Sequence, residues 1–111
     1  MDERVKILMD NFNEYFQLGL RAFNEKKYNS ATTLFFKAIV AICDLFLFKK
    51  EGKAPSSHSD RFRTIEEKYP EIYKILDRDF PFYQDSYTKK MDKESAELLK
   101  DDIGKIKKIL D

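Results

Sequence analysis

Between Leu34 and Phe48 only Lys37 and Asp44 interrupt an otherwise apolar run. At about 15 residues the run is shorter than the ~20 that a membrane span needs. A helix apolar on nearly every side must be enclosed, either at the centre of a bundle or in a subunit interface. The reading is therefore a central helix. Because a small bundle can leave part of such a helix bare, a homodimer is expected. Lys37 and Asp44 lie seven residues apart, so they share one face. That face should meet solvent or a polar partner.

The flanking segments supply the enclosure. Over about 2–25, Val5, Leu8, Phe12, Tyr15, Gly19 and Ala22 recur at steps of three and four, one face of a helix. Gly19 on that face costs about 1 kcal/mol of helix propensity relative to alanine, and a close partner helix would account for it. Asn24–Lys27 breaks the pattern, and Asn29 or Ser30 is expected to cap the second helix, which runs to about Lys50. Residues 51–57 read as a loop, with Gly52 at the helix end and Pro55 beyond. Ser57 and Asp60 have the spacing of a capping box.

Phe62, Ile65, Tyr69, Ile72 and Leu76 continue the helical period, but Pro70 predicts a break near Tyr69 and a new helix opening on the proline. Asp79–Tyr83 reads as irregular or as the start of another short helix. Asp92 reads as the N-cap of a last helix with Ala96, Leu99, Ile103, Ile106 and Leu110 on one face. No segment alternates with period two. The 111 residues therefore predict a single all-α domain, a four- to five-helix antiparallel up-and-down bundle.

Composition narrows the chemistry. The 21 basic and 20 acidic residues nearly cancel, so no global field draws the chain to nucleic acid or to a membrane. One cysteine excludes a disulfide framework and a cysteine zinc site, and one histidine excludes a histidine metal cluster. No metal, cofactor or catalytic residue is assigned from spacing. Cys43, inside the apolar run, is expected to be an inert core thiol. The acidic start Met1–Arg4 does not read as a targeting segment, and a reducing cytoplasm is the expected home.

Tyr15, Leu18, Gly19, Tyr28, Ala31, Phe35 and Ala38 resemble the helical-hairpin signature of a tetratricopeptide repeat. Such repeats need about three copies to bury a continuous core, and no second copy follows residue 44.

Taken whole, roughly residues 8–110 resemble the HEPN domain, a helical nucleotide-binding domain. The pieces are the aromatic- and alanine-rich Tyr28–Phe48, the loop Ala54–His58, the helix start Arg61–Ile65, and Met91–Ile103, which is similar to the family's final helix. The resemblance implies a nucleotide- or RNA-associated module, often working beside a small nucleotidyltransferase. That partner would here be a separate chain, in a toxin–antitoxin-like arrangement. Ribonuclease members carry an arginine and, four to six residues on, a histidine near the start of the last helix. Here no arginine follows Arg78 and no histidine follows His58, while Lys89 and Lys90 lie near where the arginine would fall. A non-catalytic member is the expectation. A tetratricopeptide-like protein adaptor is the alternative, and a HEPN ribonuclease toxin the third reading.

The candidate ligand site is the elbow around His58. Lys49, Lys50, Lys53, Arg61 and Arg63 stand there against Glu51 and Asp60. With His58 they form a candidate phosphate site at a helix start. The competing reading gives His58 a structural role, satisfying the loop backbone and anchoring the elbow.

Overall fold

The computed structural model describes residues 2–110. They form α1 (Glu3–Asn24), α2 (Tyr28–Glu51), α3 (His58–Lys68), α4 (Pro70–Asp85) and α5 (Lys93–Leu110), with no strand among the described residues. The all-α expectation is met. Met1 and Asp111 lie outside the described residues.

Asp2 opens α1 by accepting from the Arg4 amide at 2.7 Å. The predicted stripe turns toward α2, with Phe12, Gly19 and Ala22 buried. The two helices run antiparallel, since Phe23 meets Tyr28 at one end and Arg4 lies over Phe48 at the other. Between these ends Gly19 lets the helices close: a Cβ there would lie 2.7 Å from the Phe35 ring. Gly19→Ala is therefore expected to destabilise by about 1–3 kcal/mol through overpacking, despite alanine's better helix propensity. Urea denaturation measures this, and a more stable alanine variant would refute the close approach.

α1 ends in a Schellman turn, with the Lys27 amide donating to the Ala22 carbonyl at 2.8 Å and that of Lys26 to Phe23 at 3.0 Å. Lys26 takes φ 61° there, the left-handed region that favours glycine. The other left-handed helix end, after α2, does use glycine, Gly52 at φ 81°.

α2 is the hub, packed by α1, α4 and α5. Phe35, Phe36, Ala38, Ile39, Cys43 and Leu47 are sealed. Burial, helped by Asp44 next door, pushes the Cys43 thiol up to about 12, so it stays protonated. By length and composition this 24-residue helix is apolar enough to cross a membrane, and 61% of its apolar window is buried inside the bundle. The shortness of the apolar run alone therefore does not exclude a span. The large exposed apolar side chains are Ile7, Met9, Leu18, Tyr87 and Ile109, none of them on α2. On α2 itself Leu34, Val40, Ile42, Leu45, Phe46 and Phe48 stay partly exposed.

Two expectations about caps and breaks are corrected. α2 starts at Tyr28 without a side-chain cap. Asn29 instead clamps the α4–α5 connection, donating to the carbonyls of Ser86 and Lys89 at 3.0 and 2.6 Å and accepting from the Met91 amide at 2.8 Å. α4 begins at Pro70 as expected but continues through Pro81 to Asp85. Pro81 is exposed, as is Asp77, whose carbonyl loses its helical donor. The segment stays helical because Phe80 and Tyr83 stack on Phe36, with ring centroids 5.7 and 4.8 Å away. The remaining caps follow the sequence. Ser57 accepts from the Asp60 amide at 3.1 Å, and Asp92 from that of Ser95 at 2.8 Å. The Asp60 carboxylate returns to the Ser56 amide, one residue before the cap.

Candidate functional site

The six basic-elbow residues fold into three separate places. Lys49 lies beside Lys107 and Leu110, and Lys50 sits 5.8 Å above the Phe46 ring. Lys53 and Arg63 border a hollow that also holds Glu51, Asp60, Glu67 and Lys68. Arg63 pairs with Asp60 at 2.9 Å and Lys68 with Glu51 at 2.8 Å, so charge there is balanced. His58 and Arg61 belong to another cavity. One converging phosphate cradle does not form, because carboxylates fold in among the cations and Arg61 turns inward.

Arg61 is 7% exposed and Asp44 8%. The guanidinium forks onto the carboxylate, Nε to Oδ1 at 2.7 Å and Nη2 to Oδ2 at 2.8 Å. Its remaining edge, Nη1, lies 2.9 Å from Nδ1 of His58. A guanidinium only donates, so Nδ1 accepts, and the neutral ring carries its proton on Nε2. Burial and then the Arg61 charge hold the His58 pKa below its usual value, in keeping with this tautomer. The ring packs against Phe80 and Tyr83, with centroids 5.5 and 6.3 Å away. The side-chain partners of His58 are therefore Arg61 and these rings, not the loop backbone weighed for it. With its proton on Nε2 and its lone pair already engaged, His58 is a hydrogen-bond donor and not a free base.

Above this ion pair opens a cavity of about 350 Å³. Asn11 and Tyr15 of α1, Lys37 and Asp44 of α2, and Tyr83 of α4 line it. Lys37 and Asp44 are the pair that the sequence put on one face, and their polar surrounding is this cavity. Lys37 Nζ stands 5.8 Å from the Tyr83 ring. Asn11 and Tyr83 carried no signal in the sequence, and Tyr15 was marked only as part of the α1 stripe and the repeat-like hairpin, not as a site residue. Tyr83 sits in the stretch around Pro81 that reads as irregular, and nothing local marks Asn11.

A second polar cluster lies on the far packing surface of α4. Asp79 and Asp102, both fully buried, are bridged by Arg78 at 3.3 and 2.6 Å. Oδ2 of Asp79 and Oδ1 of Asp102 have no hydrogen-bond partner, with Lys105 Nζ 3.7 Å from the latter, and a proton shared between the two carboxyls would satisfy both. Burial, with the Asp102 carboxylate beside it, pushes Asp79 up to about 8.

Compared with protein-family models, with characterised proteins and with solved structures, the chain matches none.

Proposed function

We propose that this chain is a non-catalytic, HEPN-like binding module of the cytoplasm. It takes a nucleotide or RNA nucleotide in the cavity between α1 and α4 and works beside a separately encoded nucleotidyltransferase. The observation that carries the reading is the neutral His58 ring, fixed by Arg61 with its Nε2–H available, in a cavity lined by aromatic rings, the paired Arg61 and Asp44, and Lys37, which has no ion-pair partner among the described residues. Tyr15 can offer its ring to a planar base beside Tyr83, which already stacks on Phe36, while His58 Nε2–H and the Asn11 amide suit the edges of a base. Lys37 supplies a point charge for a phosphate. Binding fits this set better than cleavage: the arginine–histidine spacing of ribonuclease members is absent, and the one histidine has no free lone pair for a proton.

Calorimetric titration with uridine monophosphate tests this. Binding is expected, and Lys37→Ala should weaken it about tenfold, the worth of one charge-assisted contact. The loss should shrink as salt rises. No heat with the wild-type chain at millimolar nucleotide and low salt would overturn the proposal.

A further inference from the structure

The connections α1–α2 and α4–α5 meet at the head of α2 around a hollow of about 500 Å³. Lys26 and Lys27 enter it from one side and Lys89 and Lys90 from the other, with Ser30 of α2 between them and no carboxylate in its lining. Lys27 pairs with Glu25 and Lys89 with Asp85, while Lys26 and Lys90 have no ion-pair partner among the described residues. Two lysines thus stand uncompensated beside two whose partners lie outside the lining.

Lys26 adds a separate argument. It occupies the left-handed turn position where glycine is free and lysine is strained. Its main chain alone would favour glycine.

The bowl and the His58 cavity lie along one side of the molecule. Ser30, Lys37 and Asp44 are seven residues apart on α2, so they share a face over roughly 21 Å of helix. Tyr83 lines the His58 cavity, and Tyr87, four residues on, precedes Thr88 of the bowl's lining in the chain. Their hydroxyls are 2.7 Å apart, and Tyr87 is 68% exposed. An exposed aromatic next to a lysine cluster is the pairing that holds unpaired bases and their phosphates.

We infer that the ligand is a single-stranded polynucleotide: one base occupies the His58 cavity, the strand passes Tyr87, and its phosphates reach the lysine bowl of Lys26, Lys27, Lys89 and Lys90. This rests on the nucleotide reading of the cavity and extends it from a mononucleotide to a strand.

The test is fluorescence anisotropy with labelled octauridylate, octathymidylate and an eight-base-pair duplex, alongside uridine monophosphate by calorimetry. Octauridylate should bind at least about tenfold more tightly than the mononucleotide, with affinity falling steeply as salt rises. Tighter binding of duplex than of either strand overturns the inference. Octathymidylate matching octauridylate supports recognition of base faces and phosphates. Lys90→Ala should weaken octauridylate about threefold to tenfold and flatten the logarithmic salt slope by roughly 0.7, leaving the mononucleotide unchanged. Lys26→Gly should do the same while raising the melting temperature by about 3 °C, so that loss of fold cannot mimic loss of binding. Mononucleotide binding with no gain from strand length and no effect of Lys26 or Lys90 overturns this inference and leaves the cavity reading standing. Absence of mononucleotide binding removes both.

Discussion

Arg61→Ala is expected to cost about 3–5 kcal/mol of folding stability, because it leaves the Asp44 carboxylate buried without its counter-charge. Both fork contacts vanish together, and 8% exposure leaves Asp44 little access to water. Lysine in place of Arg61 should recover only part of the loss, since a point charge cannot fill both carboxylate oxygens and His58 Nδ1. The double variant Asp44→Leu/Arg61→Met should be less destabilised than Arg61→Ala alone, because no orphaned charge remains. Guanidinium denaturation of the four proteins measures these differences. A single-variant loss below about 1 kcal/mol would mean the pair is solvated. The same substitution should carry a second signature at the cavity. Without the neighbouring guanidinium charge, the His58 pKa should move up toward its ordinary value, and Nδ1 becomes free to take a proton.

Stability is expected to fall as pH rises from about 4 to 8, because folded Asp79 keeps a proton that the unfolded chain has lost. The group's folded pKa, about 8, lies above its unfolded value of 3.8. Its favourable contribution is therefore complete below pH 4 and disappears as pH passes through 8. The steepest slope is about 1.4 kcal/mol per pH unit, so over the window between the two pKa values the whole change is at most about 6 kcal/mol. The charged groups around it are Arg78, Asp102 and, on the Asp102 side, Lys105 at 3.7 Å. The Arg78 pKa is pushed up by its bond to Asp102, so Arg78 keeps its charge throughout this window and the shared proton sets the slope. His58 acts in the opposite sense: its lowered pKa removes stability as pH falls below the usual histidine range. Asp79→Asn separates the two. The amide can still donate to Asp102 but does not titrate, so the decline from pH 4 to 8 should flatten and the variant should exceed wild type at pH 8. Chemical denaturation at four pH values reads this directly. Parallel profiles for the two proteins would show that Asp79 ionises normally.

The fold was legible where a single residue decides local geometry. Pro70 opens α4, Asp92 and Ser57 cap the helices that follow them, and Gly19 marks the close approach to Phe35. Each follows from sterics or hydrogen bonding within a turn or across one helix pair. Pro81 shows the limit of such rules: its local cost is outweighed by the stacking of Phe80 and Tyr83 on Phe36, residues more than forty positions away. The site was half legible. The seven-residue spacing of Lys37 and Asp44 marked a polar face, and His58 and Arg61 were singled out, but as exposed phosphate contacts. What redirected Arg61 is Asp44, 17 residues earlier, and nothing in local sequence couples them. Asp79 and Asp102 were illegible for the same reason, since their pairing depends on how α4 packs against α5. Asn29 carried a true signal with the wrong partner: its amide serves a loop about 60 residues away and not its own helix.

His58 is the only histidine in the chain, so its ring nitrogens can be followed without ambiguity. Long-range nitrogen–proton NMR of the labelled protein, recorded through a pH titration and then with added uridine monophosphate, tests the account at its centre. A neutral ring protonated on Nε2, a midpoint below the usual histidine value of about 6.5, and a change at Nε2 as nucleotide saturates the cavity are expected. A ring protonated on Nδ1, or nitrogens unmoved by millimolar nucleotide, would contradict it.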